Sequence, residues 1–382
     1  MMLRIVIYVQ HLLGTGHLVR MQTLASSMFE KGHEVTLISG GVPKDSSIGP
    51  WGFIQLPAVR AGAGNFSLLL DEAGSPIDDQ FKQQRKEALL EAVAEKHPDI
   101  VIVETFPFGR RQMEFELLPL LEQLEATFPK PIVVSSIRDI LQTRKAKRYV
   151  QTMQRLRAYF DAVIVHGDNR VVALNASFPL AEEINGLHYS GYISYGSDQT
   201  KVLSETCSEK DVMVSAGGGA VGMKLLLASI KAKAMSPLSA LRWRILIGSN
   251  SREQIIDMLD GVEFDNVIIE ANRPDFSERL KYCALSISQA GYNTCLDILH
   301  AKVPSVLVPF SSEGETEQLQ RAQIFQHHGL AEVLHEDELT PNALADAIKR
   351  ALDMPRDLDF EVDTEGASKT VEIVENLYRE RQ

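Results

Sequence analysis

Cysteine is scarce in this chain: only Cys207, Cys283 and Cys295 occur. An odd trio without metal-ligand spacing offers neither a disulfide framework nor a metal site. Positive charge is in deficit as well, with 39 Lys and Arg against 51 Asp and Glu and a formal net charge of -12. That balance gives no global electrostatic case for nucleic acid or anionic lipid, so no nucleic-acid partner is expected. No apolar run approaches the ~20 residues of a membrane-spanning helix. The run after Met-Met-Leu-Arg is only about six residues, short of a signal sequence. The expectation is a soluble protein of a reducing, cytoplasmic compartment. Internal repeats and low-complexity segments are missing too. What remains is 45% apolar over 382 residues, enough for two or three packed domains.

The apolar residues fall in short Ile- and Val-rich runs between helical stretches, the rhythm of a parallel α/β sheet. Residues 3–9 read as a strand buried on both faces. It runs into Gly14-Thr15-Gly16-His17 and a helix with Leu18, Met21, Leu24, Ala25 and Met28 on one face, stopped at Lys31-Gly32. Residues 35–39 give the second strand. This β-loop-α-β opening suits a nucleotide fold. The loop lacks the third glycine of G-x-G-x-x-G, however, and Ser39 or Gly40 stands where a dinucleotide site needs an acid. A dinucleotide dehydrogenase is therefore poorly supported. His17 opens the helix after a glycine turn, where an imidazole can take a proton from a hydroxyl or a water. Local capping or packing is its plain alternative. Arg20, one turn on, either faces the same mouth or is an ordinary exposed arginine.

Further strands are expected at 100–104, 132–135 and 162–165, with helices at 81–95 and 113–126. Glu104 ends the first of these strands. It either faces a ligand or pairs with Arg110 or Arg111. Ser136-Ile137-Arg138-Asp139 again puts charge at a strand end. Residues 57–80, with Pro57, Gly62, Gly64, Gly74 and Pro76, read as a long irregular loop. The basic run Arg144, Lys145, Lys147, Arg148, Arg155 and Arg157 is either a solvated helix face or a guide for an anionic lipid headgroup or pyrophosphate.

Polar residues 194–209 mark a linker. A second sheet starts at 211–215 and leads into Gly217-Gly218-Gly219, whose amides can wrap a phosphate at a helix start. Strands follow at 244–247 and 266–269, the latter running into a loop with Arg273. The stretch 286–322 then repeats strand, loop and helix. Ser288-Gln289-Ala290-Gly291 opens a helix with Thr294 and Asp297, and a strand at 305–308 leads through a polar loop to Glu317 and Gln318. Such loops are where α/β sheets bind ligands, and a carboxylate there can accept hydrogen bonds from sugar hydroxyls. A last strand at 330–333 and helices at 341–352 and 364–381 close the chain.

The pattern S-x-x-G-x-x-T-x-x-[DE], then P-x-x-x-V-P-F, then E-Q-x-x-x-A over residues 288–322 resembles the donor-nucleotide half of GT-B glycosyltransferases. It is most similar to the peptidoglycan lipid-intermediate N-acetylglucosaminyltransferases. The resemblance implies an α/β GT-B fold with two Rossmann-like parallel-sheet domains facing across a cleft. Residues 1–193 would form the acceptor side and 210–355 the donor side, with 356–382 a helix returning to the first domain. Asp297 would bind the ribose of UDP, at a position where the family usually has Glu. Glu317 and Gln318 would contact the donor sugar, the former in place of a family Gln. The Gly217, Gly218 and Gly219 loop would meet the diphosphate and the loop of Arg273 the base, with Ser288, Gly291 and Thr294 completing the site. Gly14-Thr15-Gly16-His17-x-x-Arg20 also resembles the N-terminal loop of UDP-sugar hydrolases of the pseudaminic acid pathway, and in both families the histidine faces the cleft. The reading that the resemblance implies is an inverting glycosyltransferase without metal or other cofactor. His17, Glu104 or Asp139 would be the base. The donor would be a nucleotide-diphosphate sugar, UDP-linked first, and the acceptor a lipid-linked or other glycan, met at the inner face of a membrane. A UDP-sugar hydrolase, a 2-epimerase and a non-catalytic nucleotide-sugar binding protein are the alternatives left open.

Overall fold

A computed structural model describes the chain apart from residues 13–15, 44–48, 63–64, 194–209, 217–221, 248–264, 272, 274, 311–315 and 356–360. Gly14, Thr15, the run Gly217, Gly218 and Gly219, and the linker 194–209 therefore lie outside the described residues. The chain forms two compact units. The first is Met1–Tyr195 with Asp363–Gln382, and the second is Gly196–Val362.

The first unit is built on β1 (Arg4–Val9), β2 (Glu34–Ser39), β3 (Gly52–Gln55), β6 (Ile100–Glu104), β7 (Ile132–Arg138), β8 (Ala162–His166) and β9 (Leu187–Tyr189), with β4 (Arg60–Gly62) and β5 (Asn65–Leu70) as a separate hairpin. The seven strands pair in parallel in the order β3-β2-β1-β6-β7-β8-β9. Both faces of the sheet are covered, which is why its strands read as unbroken apolar runs. Ile5, Ile7 and Val9 pack with Leu18, Met21, Leu24 and Met28 of α1 (Gly16–Glu30). Val6 and Tyr8 point the other way, into a core with Leu89 and Val93 of α2 (Asp79–Lys96) and Leu117 and Leu121 of α3 (Glu114–Glu125). α4 (Ala146–Tyr159) carries Lys147, Arg148, Arg155 and Arg157 of the basic run, and Arg155 pairs with Glu114 at 2.9 Å and Arg157 with Glu183 at 2.9 Å.

Two features depart from the sequence reading. Residues 57–80 are not irregular throughout, because β4 and β5 form an antiparallel hairpin. Its register shift at Ala61 and Gly62 disguises the alternation that marks a hairpin. The edge strand β3 was not expected, since GFIQ is too short for a periodicity to declare itself.

The second unit is a six-stranded parallel sheet from β10 (Val212–Ser215), β11 (Trp243–Ile247), β12 (Val267–Ala271), β13 (Leu285–Ser288), β14 (Ser305–Leu307) and β15 (Glu332–Val333). The strand order is β12-β11-β10-β13-β14-β15. Helices α5 (Met223–Ala232) and α9 (Pro341–Asp353) bury Leu225, Leu226, Leu344 and Ile348 against Val212, Val214, Ile245 and Ile287. On the other face Met213, Leu246 and Leu307 pack against Cys295 and Ile298 of α7 (Tyr292–Ala301) and Phe325 of α8 (Glu317–His327). A short helix α6 (Phe276–Leu280) precedes β13.

The last helix, α10 (Gly366–Arg381), belongs to the first unit, where Val371 and Val374 join the core under α1. Its start is tied by Tyr192 N to Asp363 O at 2.7 Å and Gly366 N to Tyr192 O at 2.9 Å. A side chain at Gly366 would stand 2.4 Å from the Gly191 carbonyl oxygen, so only glycine permits this approach.

Candidate functional sites of the two units

In an open parallel sheet the ligand crevice lies beyond the carboxyl ends of the strands, where the strand order reverses. In the first unit that point falls between β1 and β6, and in the second between β10 and β13. At the first, α1 follows β1 and begins with Gly16 and His17, while Glu104 is the last residue of β6. Neighbouring strands thus unite two residues 87 positions apart: His17 Nδ1 is 2.5 Å from Glu104 Oε1. Arg20 Nη2 donates to the same oxygen at 2.6 Å, as does Thr105 Oγ1 at 2.6 Å. Arg110 Nη2 stands 4.0 Å from the other oxygen, Oε2.

These contacts decide the protonation states. Burial alone would push the Glu104 carboxyl up, but His17, Arg20 and Arg110 outweigh it and hold the group far below the usual carboxylate range. Burial pushes the His17 imidazole down to about 4, with Arg110 and Arg138 adding to the effect against the pull of Glu104. At neutral pH the pair is a carboxylate and a neutral imidazole. An ionised carboxylate only accepts, so Nδ1 carries the proton and Nε2 keeps its lone pair. This is the orientation a carboxylate gives a histidine that serves as a general base.

Beneath the pair lies a second polar layer. His166, completely buried, sits between Ser136 Oγ at 2.7 Å and Ser190 Oγ at 2.9 Å, and burial keeps it neutral. Asp139, the third candidate base, is 2% exposed and accepts Ile140 N at 2.8 Å and Tyr192 Oη at 3.2 Å. Arg111 pairs with Glu114 at 3.6 Å and not with Glu104.

In the second unit Ser288 ends β13 fully buried, its Oγ without a hydrogen-bond partner among the described residues. Gly291 caps α7 in extended conformation, and Thr294 lies in the first turn beside it. Asp297 follows one turn on. Burial pushes its carboxyl up to about 6, although a hydrogen bond with Ser277 of α6 opposes the shift. At the next strand end, Glu317 opens α8 with Oε1 3.0 Å from Arg321 Nη2. Arg321 also donates to the Ala290 carbonyl at 3.1 Å and lies over the Tyr292 ring at 5.5 Å, so it braces the starts of α7 and α8 together. Gln318 Oε1 accepts Phe310 N at 3.1 Å. Arg273 pairs with Glu270 of β12 at 3.0 Å and with Asp275 at 2.8 Å. Arg321 was not singled out in the sequence, although its i,i+4 spacing from Glu317 is the available signal.

Comparison with known proteins bears on both units. Residues 213–377 match the family described as "Glycosyltransferase family 28 C-terminal domain". A UDP-N-acetylglucosamine--N-acetylmuramyl-(pentapeptide) pyrophosphoryl-undecaprenol N-acetylglucosamine transferase of Caulobacter vibrioides (strain NA1000 / CB15N) is 27% identical over 155 residues, 40% of this chain and 43% of that protein. Its namesake in Methylibium petroleiphilum (strain ATCC BAA-1232 / LMG 22953 / PM1) is 32% identical over 142 residues, 36% of this chain and 38% of the relative. The chain thus spans less than half the length of these relatives. Solved structures match throughout. The calicheamicin glycosyltransferase CalG4 superposes with a TM-score of 0.65 and 18% identity over 100% of this chain and 99% of its own. MurG of Acinetobacter baumannii gives 0.61 and 13% over 98% and 99%.

Proposed function

Proceeding from a GT-B fold that carries a glycosyltransferase family 28 C-terminal domain over residues 213–377, we propose that this chain transfers a sugar from a nucleotide-diphosphate sugar to an acceptor hydroxyl. The observation that carries the reading is the His17–Glu104 pair at the switch point of the first sheet. His17 Nε2 takes the proton of the acceptor hydroxyl. The oxygen attacks the anomeric carbon as the bond from that carbon to the diphosphate oxygen breaks, and the nucleoside diphosphate leaves with the electron pair. A single displacement of this kind inverts the anomeric centre. Glu104 orients the imidazole and stabilises the imidazolium as it forms.

In the second unit the starts of α7 and α8 offer backbone N–H groups and positive dipole ends to the diphosphate, and no metal is invoked for the leaving charge. Asp297 accepts the ribose hydroxyls, and Glu317 and Gln318 face the donor sugar. The named relatives use UDP-N-acetylglucosamine, which supports UDP as the nucleotide here. They also act on an undecaprenol-linked acceptor, which supports a lipid-linked one met at a membrane surface. No helix among the described residues is long and apolar enough to cross a membrane. Asp139, which accepts Ile140 N and Tyr192 Oη, and Arg273, which pairs with Glu270 and Asp275, are given no part in the transfer.

Turnover tests this directly. His17→Ala should lower kcat about 10²–10⁴-fold with donor affinity intact, as loss of a general base does. An undiminished rate removes His17 from the chemistry. Release of nucleotide from the donor in buffer alone, at the rate seen with acceptor, identifies a hydrolase instead.

A further inference from the structure

Glu104 is unevenly loaded. Its Oε1 takes His17, Arg20 and Thr105 within 2.6 Å, while Oε2 is buried without a hydrogen bond. The group nearest to Oε2 is Arg110, at 4.0 Å, beyond hydrogen-bond reach. Arg110 is itself largely buried, with 15% of its side chain exposed, and its Nε has no partner. Its guanidinium makes no hydrogen bond among the described residues, and Arg138 adds a second cation to its surroundings.

A guanidinium held only by a long ion pair, with its Nε cut off from solvent and unbonded, is costly to keep. The backbone holds it there by unusual means. Thr105 and Arg110, which bracket the loop after β6, both have positive φ, at 66° and 58°. Neither is glycine, and such strain persists where the surroundings enforce it. A planar fork of N–H donors of this kind matches carboxylate and phosphate oxygens two at a time.

We propose that Arg110, with Arg138 beside it, forms an oxyanion subsite of the first unit, which takes a phosphate or carboxylate group carried by the acceptor. This rests on the reading of that unit as the acceptor side. The anion would dock next to His17 and place the reacting hydroxyl at Nε2. It would also relieve the burial cost that Arg110 bears and favour the imidazolium that forms as His17 takes a proton.

The experiment follows the His17 ring resonance of the full chain by NMR during titration with orthophosphate, pyrophosphate and acetate. It compares the wild type with Arg110→Gln and Arg110→Lys, with UDP-induced thermal stabilisation measured on each as a control of fold and of the second unit. In the wild type at least one oxyanion should shift the resonance saturably and raise the His17 titration midpoint by about one pH unit. In Arg110→Gln the apparent affinity should fall at least tenfold, and Arg110→Lys should keep part of it. Preference for the phosphates or for acetate then names the acceptor's anion. No saturable shift with any of the three, or equal shifts in wild type and Arg110→Gln, overturns the proposal. Failure of the donor reading looks different: the UDP response is absent while the oxyanion response of His17 remains.

Discussion

At the scale of single residues, two titrations separate donor binding from chemistry. The Asp297 carboxyl, pushed up by burial to about 6, must be ionised to accept both ribose hydroxyls. The donor Kd should therefore rise as pH falls through 6. The His17 limb belongs to kcat/KM for the acceptor, which reports the free chain, and lies lower, near pH 4, where its imidazole takes a proton. Steady-state profiles of the two parameters check this, and a common midpoint would contradict it. Asp297 also carries a stability consequence. The folded chain holds this proton up to about pH 6, whereas an unfolded aspartate releases it near pH 4. Stability falls as pH rises between those values, and the cost, on the order of 2–3 kcal/mol, is complete above pH 6. Asp297→Asn should therefore raise Tm at pH 8 and not at pH 4, while weakening the donor. An unchanged Tm at pH 8 would argue against a buried charge at this position. His17, Asp297 and Glu317 could be picked out from motif and position alone. The role of Glu104 could not, because its partners His17 and Arg20 lie 87 and 84 residues away and only the pairing of β1 with β6 brings them together.

At the scale of elements, the chain ends that carry the first site are held by a buried polar network. Arg85 of α2 bonds Glu116 of α3 at 2.5 Å, Gln10 after β1 at 2.6 Å and the Gly40 carbonyl after β2 at 2.9 Å, and the Tyr8 hydroxyl donates to Glu116. Arg85, Glu116, Tyr8 and Gln10 are all fully buried. Glu116→Ala would strand the guanidinium and should cost about 3–5 kcal/mol. Chemical unfolding followed at Trp51, in a Trp243→Phe background, measures it. A loss below ~1 kcal/mol would show that the network is not needed. The strands that form the two sheets were legible as β-branched apolar runs, because a sheet covered on both faces leaves that signature. The short edge strand β3 and the bulged hairpin of β4 and β5 were not, since neither is long or regular enough to show a period. Nothing in the sequence singled out Arg85 and Glu116, and only packing reveals that they are inside.

At the scale of the whole molecule, each unit repeats one architectural rule: a parallel sheet with its candidate site at the carboxyl ends of the strands. The return of residues 363–382 to the first unit makes that unit discontinuous in sequence, tied through Tyr192, Asp363 and Gly366. Periodicity marked the final helix, whereas its place under α1 was expected from resemblance alone. The motif-bearing second unit was the more readable because most of its candidate groups lie within some thirty residues of one another, from Ser288 to Gln318. The first unit assembles its site from three distant segments. The central claim, a nucleotide-diphosphate site in the second unit, is tested most directly by calorimetric titration of the full chain with UDP, in wild type, His17→Ala and Asp297→Ala. Wild type and His17→Ala should bind alike, and Asp297→Ala should lose roughly 1–3 kcal/mol of affinity with its charged hydrogen bonds. Equal binding by all three, or none by the wild type, would contradict the account.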